Sequence, residues 1–186
     1  MIGHIFAVAG LCGVGKTTAV NFLAEVSGGE VVYFGNTVLR VVRERGLPET
    51  SESEQIVRID LRKRNGRSYL AILEAERIRA IVSAGRSAFV DAVYTAEEFD
   101  YLANLAPGAK FILIGIEVSF TVRLERLQKR PARPLTENQM RARDALEMTT
   151  LNTGDILSRA AFRLNNEATM DDFVGVLRDV LEKSRV

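Results

Sequence analysis

Cysteine and histidine are all but missing from this chain of 186 residues: Cys12 and His4 are the single example of each. One thiol excludes an intramolecular disulfide, and one thiol with one imidazole excludes a Cys/His metal cluster. A surplus of charge is missing too. Lys and Arg number 25 and Asp and Glu 24, and the resulting net charge of +1 gives no whole-chain pull toward nucleic acid or an anionic surface. Nucleic acid is therefore not an expected partner, because backbone binding draws on many basic contacts. Long apolar runs are absent as well. The longest lies near residues 111–116, far short of the roughly 20 residues a membrane helix needs. The opening M-I-G-H-I-F-A-V-A-G has no basic leader and reads as a buried strand, not a signal peptide. These absences leave a cytoplasmic protein as the expectation, with any phosphate-binding charge held locally.

What is present suits one folded domain. Hydrophobic residues make up 47% and charged residues 26%, as in ordinary globular proteins. Short apolar runs alternate with longer helical patterns, which predicts an α/β fold with a parallel sheet between helical layers. The expected strands are 5–9, 31–34, 88–91, 111–116 and 162–165. The fourth is nearly all apolar, as a strand covered on both faces should be. Ser51 with Glu54, Thr95 with Glu98 and Thr136 with Gln139 have the spacing of capping boxes. Phe173, Val176, Leu177, Val180 and Leu181 recur at helical spacing and predict a packed final helix.

Residues 10–17, G-L-C-G-V-G-K-T, have the spacing of a P-loop. Its glycines, Gly10, Gly13 and Gly15, let backbone N–H groups converge on phosphate oxygens. A helix starting near Gly15 adds its free N-terminal donors, so Val14, Gly15, Lys16, Thr17 and Thr18 belong to the same cradle. Lys16 is expected to reach the terminal phosphates, and the Thr17 hydroxyl to coordinate Mg²⁺. The context fits: a strand precedes, and Val20, Phe22, Leu23 and Val26 make the following helix amphipathic. The Cys12 side chain reads as a bystander in the loop.

The Asn/Thr-Lys-x-Asp signature of guanine recognition does not occur. Asp91 closes the third strand and Ala92 follows it. A Mg²⁺-bound water is thus a reasonable partner for Asp91, since open α/β sheets bind ligands at strand carboxyl ends, but no hydrolytic carboxylate stands beside it. Phosphoryl transfer to a small acceptor further requires an acceptor site and a lid that excludes water. Residues 121–143 hold seven basic side chains against Glu125 and Glu137. Arg126 and Arg130 share a helix face at i, i+4, and Pro131 and Pro134 break the segment where a hinged lid needs it. Residues 58–67 hold five basic residues against Asp60. There a solvated helix face is the favoured reading, with Arg62 or Arg64 as the alternative phosphate ligand.

G-N-T-V-L-R at 35–40 resembles the acceptor element of adenylate kinase and related nucleoside monophosphate kinases. The longer run through G-L-P-E-T and L-R-K-R-N-G, V-D-A-V-Y-T-A-E-E-F at 90–99, R-A-R-D at 141–144 and N-N-E at 165–167 resemble, more specifically, small dephospho-CoA-kinase-like relatives of adenylate kinase found mainly in archaea. The resemblance implies a single P-loop kinase domain over 1–186 with strand order 2-3-1-4-5. A helical acceptor-binding region would span 35–85 and a lid 126–145. ATP and Mg²⁺ would be the cofactors. Arg40, with Gly35 and Asn36, would hold the acceptor phosphate. Arg126 would lie against the nucleobase, Arg130 and Arg143 would reach the phosphates, and Asn166 would border the adenine. Departures fall at the acceptor end. Asn36 stands where Asp is usual, Ala92 and Tyr94 replace a D-G-x-R pattern, and Leu146 replaces a lid arginine. Tyr94 is read both as a face for the acceptor's base or apolar part and as a plain wall residue.

The expectation is an ATP- and Mg²⁺-dependent phosphotransferase acting on a nucleotide or nucleotide-like small molecule. Lys16, Arg130, Arg143 and Asp91 would be its catalytic residues, and Asp91 the base should the acceptor be a hydroxyl. The alternative is a nucleotide-dependent switch that has lost efficient transfer. A monomer or homodimer is expected.

Overall fold

The computed structural model describes residues 2–131 and 134–184. The elements run β1 (Ile5–Ala9), α1 (Lys16–Ser27), β2 (Glu30–Tyr33), α2 (Phe34–Glu44), α3 (Ser51–Asn65), α4 (Tyr69–Leu73), α5 (Ala75–Ser83), β3 (Ala88–Asp91), α6 (Ala96–Ala103), β4 (Phe111–Glu117), α7 (Phe120–Gln128), α8 (Glu137–Thr149), α9 (Thr153–Ser158), β5 (Phe162–Asn165) and α10 (Met170–Ser184). The strands form one sheet in the order β2-β3-β1-β4-β5, and every pairing is parallel. Helices cover both faces, so the expected three-layer architecture and strand order are present.

β1 is buried along its whole length, and its side chains alternate between two cores. Ile5, Ala7 and Ala9 join Val38, Val57, Leu70 and Ile78 on the face covered by α2 to α5. Phe6 and Val8 join Val20, Leu23, Phe173 and Leu177 on the face covered by α1 and α10. Phe6 stacks on Phe89 of β3 at 5.0 Å between ring centroids. Each large aliphatic or aromatic side chain among them, taken from water, contributes about 1.5–3 kcal/mol. Val176 is an exception to the expected stripe of α10: it is 39% exposed, one step round the helix from the buried seam.

Register positions the chemistry. Val8 pairs with Asp91 of β3 on one side and with Ile114 of β4 on the other. The chain leaving β1 therefore enters its glycine-rich loop directly beside the Asp91 carboxylate. β2 ends one residue earlier than its apolar run suggests, because Phe34 already starts α2 from an extended Tyr33. α3 is capped by Thr50, not Ser51: the Thr50 side chain accepts the Ser53 amide. Thr95 caps α6 in the same way, but the Glu98 carboxylate turns elsewhere. Thr136 and Gln139 complete a full capping box at the start of α8.

Candidate functional site

The loop between β1 and α1 lines one end of a cavity of about 290 Å³. Helix geometry leaves the amides of Gly15, Lys16, Thr17 and Thr18 without intrahelical carbonyls, and the first helical bond of α1 runs from Ala19 to the Gly15 carbonyl. Gly15 has φ 99°, and a Cβ there would lie 2.5 Å from Asn166 Nδ2, so only glycine suits the turn. The Lys16 ammonium donates to the carbonyls of Gly10 and Leu11 at 2.7 and 2.9 Å, folded back over the loop. Burial works against its charge, but Tyr94, Glu147, Cys12 and Asp91 outweigh that, and its pKa is raised above the ordinary lysine value.

The Thr17 hydroxyl donates to Asp91 Oδ2 at 2.6 Å. The pair offers a cation two oxygens, and the described residues contain no group of three or more His, Cys, Asp or Glu that could hold a metal. That sparse, all-oxygen set suits Mg²⁺, which keeps waters and takes phosphate oxygens as further ligands. It does not suit a dedicated protein cage.

The opposite wall comes from α3. Glu54, Arg58 and Arg62 recur at i, i+4, i+8 and face the cavity together. Arg58 pairs with Glu54 at 2.7 Å. Arg62 is buried and pairs with Glu98 at 2.7 Å, while the other Glu98 oxygen accepts the Tyr94 amide at 2.8 Å. The Tyr94 ring stands between the two ends, with Lys16 Nζ 5.5 Å and Arg62 Cζ 5.7 Å from its centroid. Burial above all pushes the Arg58 pKa down; Arg143 and Arg62 add to this and Tyr94 partly opposes it. An anion among these guanidiniums would relieve their mutual repulsion.

The expected lid arginines, Arg126, Arg130 and Arg143, line the same cavity. Arg126 Nη2 donates to the Asn166 carbonyl at 2.8 Å. Its Nη1 is buried without a hydrogen-bond partner among the described residues, a donor left for a bound group. Arg143 Nε donates to Glu147 at 2.8 Å. Burial opposes the Arg143 charge, yet Cys12, Glu147 and Tyr94 raise its pKa further above the ordinary value.

Several residues lie elsewhere than expected. Arg40 points into solvent on α2, its side chain 60% exposed and paired with Glu44, and Asn36 is exposed on the same helix. Neither lines the cavity, because α2 begins at Phe34 and turns both outward. Gly35 does line it, but its missing Cβ makes room for the Tyr33 ring, which a Cβ would meet at 2.2 Å. Val14 is buried in the core, and Asn166 holds its carbonyl from behind at 2.9 Å. Gly10 and Asn166 thus shape the loop from outside the cavity. Arg64 pairs with Asp60 in the open. Cys12 packs with Leu127, Leu135 and Met140 in a small core beside the glycine-rich loop. Arg123, which no motif singles out, is buried and donates to the Cys12 carbonyl at 3.1 Å and to both Asp144 oxygens at 3.0 and 2.7 Å.

With this geometry in view, residues 7–148 match the AAA_18 family model, an AAA domain. The chain belongs to this family. Its relatives include a UPF0200 protein of Aeropyrum pernix, 33% identical over 169 residues, covering 90% of this chain and 87% of that one. A UPF0200 protein of Methanoculleus marisnigri is 31% identical over 179 residues, covering 95% and 94%. Among solved structures, a shikimate kinase from Acinetobacter baumannii in complex with shikimate superposes with TM-score 0.61 at 15% identity, covering 100% of this chain and 96% of its own. A gluconokinase from Sinorhizobium meliloti gives 0.59 at 16% identity, covering 98% and 95%. At that identity the likeness is one of fold, and the fold of this AAA_18 member is that of P-loop kinases. No helix among the described residues is long and apolar enough to cross a membrane.

Proposed function

We propose that this protein is an ATP- and Mg²⁺-dependent phosphotransferase acting on a small anionic acceptor of nucleotide or nucleotide-like type. One observation carries the reading. A single cavity has phosphate-binding amides, Lys16 and the Thr17–Asp91 pair at one end, and Arg58, Arg62 and Tyr94 at the other. Lid arginines span the gap, as transfer between two bound anions requires.

The loop amides and Lys16 bind and orient the triphosphate. Thr17 and Asp91 would hold Mg²⁺, which would supply positive charge against the phosphates when bound. An acceptor oxygen forms a bond to the γ-phosphorus, the bond from that phosphorus to the bridging oxygen breaks, and ADP leaves. Lys16, Arg130 and Arg143 balance the charge spread over the transferring group. Arg58 and Arg62 position the acceptor in the place first expected of Arg40. An anionic acceptor oxygen needs no base; for a hydroxyl acceptor, Asp91 would take the proton.

The test is ADP release with Mg²⁺-ATP across nucleoside monophosphates, nucleosides and dephospho-CoA, with Lys16→Met as control. Turnover with one acceptor, lowered at least about 10²-fold in the variant, is expected. Tight ATP binding with no acceptor-dependent ADP release would overturn the proposal in favour of a nucleotide switch.

A further inference from the structure

A second cavity, of about 210 Å³, opens beside the first and shares Arg58, Arg62, Tyr94 and Arg143 with it. Its remaining walls differ in character. Ile59 comes from α3, Leu146 from α8 and Leu151 from the turn after α8, so apolar surface dominates behind the guanidiniums. Ile59 is 41% exposed although it is a large aliphatic residue. At the far end Arg67 donates to the Thr150 and Leu151 carbonyls at 2.9 and 3.2 Å and pairs with Glu97, which closes the cleft.

Glu147 lines this second cavity and is 3% exposed. Its Oε1 accepts from Arg143, but its Oε2 is buried with no hydrogen-bond partner among the described residues. A buried carboxylate oxygen left bare is costly. It marks a place where a ligand N–H or O–H fits.

We infer that the phosphoryl acceptor has two parts: an anionic group held by Arg58, Arg62 and Arg143 in the first cavity, and an attached flat or apolar limb that fills the second cavity and donates a hydrogen bond to Glu147. The inference rests on the phosphotransferase reading for the word acceptor, but the two-part ligand follows from the paired cavities alone. Tyr94 forms a wall common to both compartments, so its ring faces the junction of anion and limb. Leu146 keeps the cleft apolar where an arginine would add a further charge to a crowded cationic mouth. A compact sugar acid has no limb to place there, so the acceptor belongs to a different class from shikimate or gluconate. A nucleobase bearing an amino group and an amide-bearing chain share the required chemistry.

Equilibrium binding separates these possibilities without relying on turnover. Inorganic phosphate, shikimate and gluconate serve as compact probes, and AMP, CMP and dephospho-CoA as two-part probes, each titrated into the full chain with a non-hydrolysable ATP analogue present. At least one two-part probe is expected to bind about tenfold or more tighter than every compact one. Preference for AMP or CMP identifies a base, and preference for dephospho-CoA an amide-bearing chain. Leu146→Asp, at a partly exposed position, should weaken that probe about tenfold and leave ATP-analogue binding within twofold. Ile59→Asp on the facing wall should do the same and guards against misfolding of one variant. Glu147→Gln should narrow the preference for AMP over IMP, which lacks the amino group, should AMP be the probe that binds. The inference is overturned if compact probes bind as well as two-part ones, if none binds, or if both wall variants weaken all probes alike. Two-part binding without ADP release would leave it standing and sink the phosphotransferase reading.

Discussion

Arg62 Nη2 lies 2.7 Å from Glu98 Oε1, and both side chains are almost wholly buried. The contact fastens α3 to the first turn of α6, and through the Tyr94 amide it also fixes the ring at the centre of the cavity. Removing Glu98 would leave Arg62 charged, buried and unpaired. Glu98→Ala is expected to lower unfolding free energy by about 3–5 kcal/mol, read from chemical denaturation. Acceptor KM should rise more than ATP KM, because the loss falls on the α3 wall.

The Thr17–Asp91 bond gives a separate prediction. Asp91→Asn preserves shape and removes charge. It should weaken Mg²⁺ affinity in the ATP complex by about 10–100-fold, while metal-free ATP binding changes by less than threefold. Titrating Mg²⁺ against turnover and against nucleotide binding checks both halves. Equal loss in the two would mean that Asp91 serves the loop's fold and not the cation.

Arg123 links the Cys12 carbonyl of the glycine-rich loop to Asp144 of α8. Arg123→Ala strands both partners. Amide hydrogen exchange should quicken in the phosphate loop and in the first half of α8, with β1 and β3 unchanged. ATP affinity should fall about tenfold, the equivalent of roughly 1.4 kcal/mol and within the range for a stranded buried acceptor.

Acid should reveal Asp60. Its carboxyl is held below its ordinary value of 3.8, first by the hydrogen bond from Arg45 and further by Arg64, against a smaller desolvation effect. A depressed carboxylate pKa contributes stability that is complete above the unfolded value and lost as pH falls through the folded one. Wild type should therefore exceed Asp60→Asn in stability at neutral pH, and the two should converge once the pH falls below the depressed folded-state value. Denaturation midpoints measured from neutral pH down to acid test this, and a constant gap would refute it.

Much of this fold is legible in the amino-acid sequence. β1, β3 and β5 run over the residues their apolar patterns mark, β2 is shifted one residue toward the N-terminus, and β4 runs one residue longer. Apolar blocks between turn residues are a local signal, and so is the glycine spacing around Lys16. The α3 wall of the cavity was harder to see. Arg58 and Arg62 sit in a basic run whose helical phase decides which guanidiniums turn inward, and composition carries no phase; the i, i+4, i+8 spacing from Glu54 was the available clue. Arg40 went the other way, since a motif match cannot say where α2 begins. Arg123 and Asp144 are distant in sequence and meet only where α7 and α8 come together.

Cys12, the chain's sole thiol, is 6% exposed beneath Leu127, Leu135 and Met140. Cys12 also lines the cavity beside the glycine-rich loop. The reaction rate of one sulfur thus becomes a gauge of how fully that cavity is filled, in the unmodified protein and with no engineered label, and a nucleotide bound over the loop should slow it.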